Sequence, residues 1–593
     1  MLCNPTMRRR SVTGIGLSIG IALLAGACSE EDVADKHSVA AAGKSEVTLA
    51  DASAKTSIYG SYLSGRFAES RSNLDRAAKL IGRVLEANPE NETLLRRAFI
   101  LNLGAGEGDK AAEYAERLVK AGGTLSTANL LLAARDLKAG RLDEADKGLA
   151  RMSDRGFEKY TKMLTEAWVR AAGGKYDAAV GILDTLGKEK GFGVLSGLHG
   201  AFVEELAGRL EAAENRYRKI VKDPKEASAR LLWSFAALLQ RRGKQAEAIK
   251  LIGVKLETNP DSIILADALA QLKAGTQLAP LVANPVQGMS EAVFNLASAL
   301  PRDRAENVIL LYTQVSLDLT PEFALGHLLV GDILAARERY ETAVAVYGKV
   351  KAKSPFSWSA RLRTADSLYE LKRLDDAVKL LEKMADERPT RTDALLKLGN
   401  FLRYKEKFEK AVGAYDQAFE RLEKPNAQQW SLYYSRGIAL ERSNQWNRAE
   451  KDFLKALEFK PEQPYVLNYL GYSWVEKGKN IDKARGMIER AVQQRQNDGY
   501  IVDSMGWVLY RLGKYDESVA HLERAVQLRP QDPVINDHLG DAYWRVGRRH
   551  EARFQWRRAL SFKPDKKESD KIEGKLKKGL GKAEPIKETD AGG

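Results

Sequence analysis

The chain is 593 residues long, 44% apolar and 29% charged, with 94 Lys and Arg against 80 Asp and Glu for a net charge of +14. That apolar content is enough for a continuous core and excludes an intrinsically disordered protein. Its two cysteines, Cys3 and Cys28, lie near the N-terminus, which excludes a disulfide framework or a thiolate metal site in the body.

In chain order, residues 1–28 read first as an address. Arg8, Arg9 and Arg10 precede the apolar run Ile15–Leu24, and Ala25-Gly26-Ala27-Cys28 follows. A basic segment, a short apolar run and small residues are the parts of a secretory signal; the run is too short to span a bilayer. Met7 is an alternative start that places the arginines at the N-terminus. Small residues ending in cysteine resemble the lipobox of bacterial lipoproteins, with Ala25 departing from the usual leucine. The resemblance implies lipid attachment at Cys28, and Ser29 after it implies the outer membrane. Several acyl chains on one cysteine would anchor the protein firmly. Residues 29–56, rich in Ala, Ser and charge, read as a flexible tether.

From residue 57 a 34-residue echo begins. Ala77, Ala111, Ala145, Ala179 and Ala213 are each 34 apart, and Ala248 follows after 35. Each period reads as two amphipathic helices joined by a short turn, so 57–271 form a degenerate N-terminal block. The segment 272–290, with Pro280 and Pro285 and little helical period, reads as a loop or half-repeat that breaks the array. Residues 291–564 form the second block, opened by a degenerate unit over 291–321. Its alanines recur at Ala343, Ala377 and Ala411, and its glycines at Gly437, Gly471, Gly506 and Gly540 with spacings of 34, 35 and 34. Extra residues over 420–429 lengthen one connection. The Lys-rich tail 565–593 reads as disordered or as a frayed capping helix.

The pattern Leu539, Gly540, Tyr543, Gly547, Ala552, Trp556, Ala559 and Pro564 resembles the tetratricopeptide repeat. Met505, Gly506, Leu509, Gly513, Tyr515, Ser518, Leu522, Ala525 and Pro530 repeat it in the unit before. The resemblance implies an all-α fold, a right-handed superhelical α-solenoid of helix-turn-helix hairpins in two blocks. Such folds bind along an extended concave surface.

The search for chemistry returns no catalytic constellation, and neither cofactor nor nucleic-acid partner is expected. No His-x-x-x-His pair occurs among the six histidines. Gly104, Gly106 and Gly108 lack the strand and Lys-Ser/Thr of a phosphate loop and read as a turn. His538, beside Asp537 and Asp541, reads as a groove-facing polar residue rather than a metal ligand. The expected groove positions are Asn400, Arg403, Tyr434, Glu441, Asn468, Tyr472, Asp503, Trp507, Tyr510, Asp537, Asp541 and Trp544. Aromatic rings supply buried area and polar groups set register, which suits a peptide or a short helix, with the aspartates favouring a basic ligand.

The sequence therefore predicts a non-catalytic scaffold that binds proteins or peptides from a lipid anchor on the periplasmic side of the envelope. A glycan- or peptidoglycan-binding module and a regulatory subunit of an envelope enzyme are the alternatives. Partner binding is expected in the C-terminal block, with the N-terminal block as a spacer.

Overall fold

A computed structural model describes residues 57–260, 262–422 and 427–583. Cys28, the signal, the tether and the end of the tail lie outside the described residues. Among the described residues the fold is all-α, in antiparallel helix pairs from Ile58–Ser70 with Leu74–Ala87 onward. No helix among them is long and apolar enough to cross a membrane.

Local chemistry sets the boundaries of each pair. The Asp532 carboxylate accepts from the Val534 and Ile535 N–H groups at 3.0 and 3.1 Å, and Pro533 occupies the first helical position. Both devices satisfy or dispense with helix-end donors. Within the pair, Gly547 takes a φ of 86°, and Gly513 does the same in the preceding unit at 76°. Earlier units place Glu406 and Asn444 in this left-handed turn, at 57° and 60°. The Gly104–Gly108 stretch is also a helix end, with Gly106 at a φ of 84°.

The recurring glycine of the first helix serves close packing. A Cβ on Gly540 would lie 2.5 Å from the Trp556 ring, and one on Gly399 2.5 Å from Tyr415. Gly437 and Phe453 stand in the same relation. A bulky residue sixteen positions later thus seats on a bare backbone, which draws the two helices of each unit together.

The segment between Lys273 and Pro285 is non-helical, and contacts group residues up to Leu380 and from Leu381 onward into two compact units that meet within the helix Leu374–Glu387. Moreover, 285–321 does not open a second block. Helices Pro285–Ala299 and Arg302–Leu319 form a hairpin packed against the first helices of the N-terminal repeats, Glu92–Ala105, Ser126–Lys138, Gly156–Ala172 and Gly193–Leu206. Gly288 lies against Trp168. Asn295 pairs with His199 at 3.2 Å, and Gln314 donates to the Gly104 carbonyl at 3.3 Å. Arg135 grips Asp318 with two bonds of 2.9 and 2.6 Å, and buried Glu291 meets Arg230. The hairpin fills the N-terminal groove. The period is faint here because residues Gly288 to Phe294 are all buried, and a helix covered on every side has no polar face to mark one.

The tail is likewise ordered over Lys566–Lys578 as a helix capped by Asp565, whose carboxylate accepts from the Glu568 N–H at 2.8 Å. Ile572 on this helix is buried against the last repeat. The tail also keeps the phase, since Gly574 stands 34 residues after Gly540. It stands where the first helix of a further unit would, and it covers the core of the last described repeat.

Candidate partner-binding groove

In the C-terminal unit the first helices are Asp393–Tyr404, Trp430–Arg442, Pro464–Glu476, Gly499–Arg511 and Pro533–Arg545. Positions three before, one after and four after each recurring glycine are one helical face, because side chains four and three apart align. The sequence-predicted groove residues occupy these positions, and the structure divides them into three groups.

The last three are covered by the chain itself. The Lys575 ammonium donates to Asp537 and Asp541, each at 2.7 Å. Asp541 also accepts from the Trp556 indole N–H at 2.9 Å. Burial pushes the Asp541 carboxyl above its usual range, against the pull of the Lys575 ammonium. Gly579 closes on the Trp544 ring, and the Arg549 guanidinium lies 3.9 Å from that ring's centre. The basic ligand expected for these aspartates is thus present as Lys575. The sequence carried a sign of it, since Lys575 follows Asp541 by one 34-residue period.

The next three form a bonded stack. Trp507 lies parallel to Tyr510 at 4.8 Å and to His538 at 4.0 Å, and its N–H donates to Glu476 at 2.8 Å. Tyr510 accepts from Arg545 at 3.2 Å. The His538 Nδ1 sits 3.0 Å from buried Asp503. Burial alone would lower the His538 pKa, but the Asp503 carboxylate outweighs it and the net shift is upward. His538 is thus a partner of Asp503. Among the described residues no group of three or more His, Cys, Asp or Glu converges as a metal site.

Asn400, Arg403, Tyr434, Glu441, Asn468 and Tyr472 make up the remaining stretch. Asn400 accepts from the Tyr415 hydroxyl at 2.8 Å, and Glu441 from Tyr469 at 3.2 Å. Tyr434 and Tyr472 are half-buried, and burial raises the Tyr472 phenol well above its usual pKa, reinforced by Glu476 and Asp503. The Oδ1 of Asn468 and the Nε of Arg403 are buried and have no hydrogen-bond partner among the described residues. A buried unpaired polar atom costs about 1–3 kcal/mol, so such atoms mark places where a ligand can compensate.

The architecture is that of an αα-hairpin solenoid with one groove filled by its own chain and another partly open. Sequence comparison identifies the units. The tetratricopeptide repeat pattern matches residues 322–392 and 396–464, and a further TPR repeat pattern matches 506–547. The chain carries tetratricopeptide repeats, a unit that generally builds protein-interaction scaffolds. A TPR repeat-containing protein of Pseudomonas aeruginosa is 30% identical over 182 residues, covering 30% of each chain. The protein O-mannosyl-transferase TMTC1 of Homo sapiens is 26% identical over 155 residues, 26% of this chain and 18% of that one. The chain thus matches less than a third of the length of either curated relative. Among solved structures, the Cut9–Hcn1 hetero-tetramer of the APC/C aligns over 90% of this chain and 98% of its own, at 15% identity and a TM-score of 0.37. YrrB, described as a TPR protein with an unusual peptide-binding site, aligns over 33% of this chain and 97% of its own, at 21% identity and a TM-score of 0.25.

Proposed function

We propose that the protein is a non-catalytic scaffold that holds a peptide or short helix of a partner protein in the groove between Asn400 and Tyr472. The carrying observation is the unpaired Oδ1 of Asn468 on the same face as Tyr434 and Tyr472. On turning toward the groove, the Asn468 amide would exchange this unpaired, buried state for a bond to a partner backbone N–H, while the tyrosines flank the partner's side chains. The reading extends to location through Cys28: a lipid-anchored scaffold on the periplasmic side of the envelope, at the outer membrane, recruiting proteins there. Supporting this are the basic, apolar and small-residue order of residues 8–28 and the resemblance to a lipobox.

Two measurements test it. The first is affinity capture from envelopes with the wild-type chain and with Asn468→Ala/Tyr472→Ala; equal recovery of the same partners would remove the groove assignment. The second is mass spectrometry of the mature N-terminus. An unmodified Cys28, or an N-terminus that retains residues 1–27, would remove the anchor.

A further inference from the structure

The two ends of the repeat array are finished differently. The C-terminal end is covered by Lys566–Lys578, whose charged residues other than Glu568 and Lys575 are exposed. Among the described residues, nothing covers the first helix, Ile58–Ser70, in this way. Tyr59, Leu63 and Phe67 are 83%, 67% and 64% exposed, and they recur every four residues along one face. Terminal units of a solenoid normally turn a polar face to solvent.

Register shows what this face is shaped for. Leu101 lies 34 residues after Phe67, and Leu131 lies 68 after Leu63. Both are fully buried, each on a first helix that packs against the second helix of the unit before it. The helix Ile58–Ser70 presents the corresponding positions with nothing on them among the described residues.

Its rim is cationic. Arg66 is half-exposed, and the Arg71 guanidinium lies 5.6 Å from the centre of the Phe67 ring. The only acid on the helix, Glu69, is shared between Arg97 at 2.7 Å and Arg66 at 3.8 Å, which leaves the arginines in excess. A second copy of this face would bring arginines against arginines, which disfavours a twofold pairing of like surfaces. Residues 29–56 contain four large apolar side chains, Val33, Val39, Val47 and Leu49. No two of them stand three or four apart, so they supply no matching helical stripe.

We propose that the Tyr59–Leu63–Phe67 face docks an amphipathic helix of another protein, apolar along one side and acidic at its flanks. That helix stacks where the second helix of a preceding repeat would lie. The surface is separate from the groove around Asn468, so either assignment stands or falls alone.

The test uses the full chain and a helical peptide, stapled on its polar side, with the sequence of this protein's own second helix Leu374–Glu387. That segment has five acidic and two basic residues around an apolar stripe. Wild-type protein should bind it at least tenfold more tightly than Leu63→Glu/Phe67→Glu, with circular dichroism confirming that the variant is folded; Tyr59→Glu serves as a second variant. Neutralising the five acids should weaken binding at least threefold at low salt. Failure of the wild-type chain to bind the peptide, or equal binding by variant and wild type, overturns the proposal. So does slow amide exchange over residues 58–70 in the free full chain, which would show the face already covered from within. A dimer by light scattering that Leu63→Glu/Phe67→Glu splits, or binding to phosphatidylglycerol vesicles without binding to the peptide, would assign the face to a second copy or to lipid instead.

Discussion

Gly288 lies so close to the six-membered ring of Trp168 that a Cβ at position 288 would overlap it. This contact joins the inserted hairpin to the repeats around it, and Trp168 is fully buried beneath. Gly288→Ala should destabilise the N-terminal unit by about 1–3 kcal/mol through overpacking. Trp168→Ala should cost about 3–5 kcal/mol by leaving a cavity. Urea unfolding of the full chain, followed by amide exchange over residues 156–172 and 285–299, checks both. An unchanged midpoint for both variants would mean that the hairpin does not depend on this contact.

The second prediction concerns acid sensitivity of the same region. His199 is fully buried, accepts from the Trp168 N–H at 3.2 Å and pairs with Asn295. Burial, with a smaller push from Arg230, lowers its pKa to about 3. In the unfolded chain the imidazole binds a proton near pH 6.5, whereas in the native state it stays neutral. Its contribution is therefore intact above pH 6.5 and is lost as pH falls from there toward 3. Between pH 7 and pH 5 this should remove about 2 kcal/mol. His199→Leu should be less stable at neutral pH but show a correspondingly shallower loss over that interval in urea titrations.

His538 titrates in the opposite sense. With its pKa raised beside Asp503, its contribution is complete below the unfolded-state value near 6.5 and fades as pH rises through the folded-state value. NMR titration should place His538 above the ordinary histidine range. Asp503→Asn should lower it, because burial is then opposed only by the more distant charges of Asp537 and Asp541.

Lys575 between Asp537 and Asp541 gives a fourth test. Lys575→Ala leaves two carboxylates together at a largely buried site, which should cost about 3 kcal/mol at neutral pH. Because the Asp541 carboxyl already tends to take up a proton, the cost should shrink toward pH 5. Unfolding of the C-terminal unit at the two pH values measures the difference.

What the sequence discloses follows from how each element is buried. Units such as Pro533–Ser561 bury one face per helix, so their period and their recurring Gly540 and Trp556 are readable. The Pro285 helix is enclosed on all sides, and its pattern vanishes with the polar face. In the tail, eight lysines between residues 563 and 582 hide a phase that Gly574 and Ile572 preserve. The groove face was readable from helical spacing, but its occupancy was not. Which aspartate meets His538 or Lys575 depends on side chains reaching across units 34 to 38 residues apart.

The central claim, that a partner lies in the groove beside Asn468, is tested most directly by a photo-crosslinking residue in place of Tyr472 in the full chain expressed in its own cells. The account predicts one dominant crosslinked protein, reduced at least tenfold by Asn468→Ala and unaffected by Gly288→Ala. A crosslink of equal yield with and without Asn468→Ala, or none at 472 alongside a strong one from a position on the second helices, would contradict it.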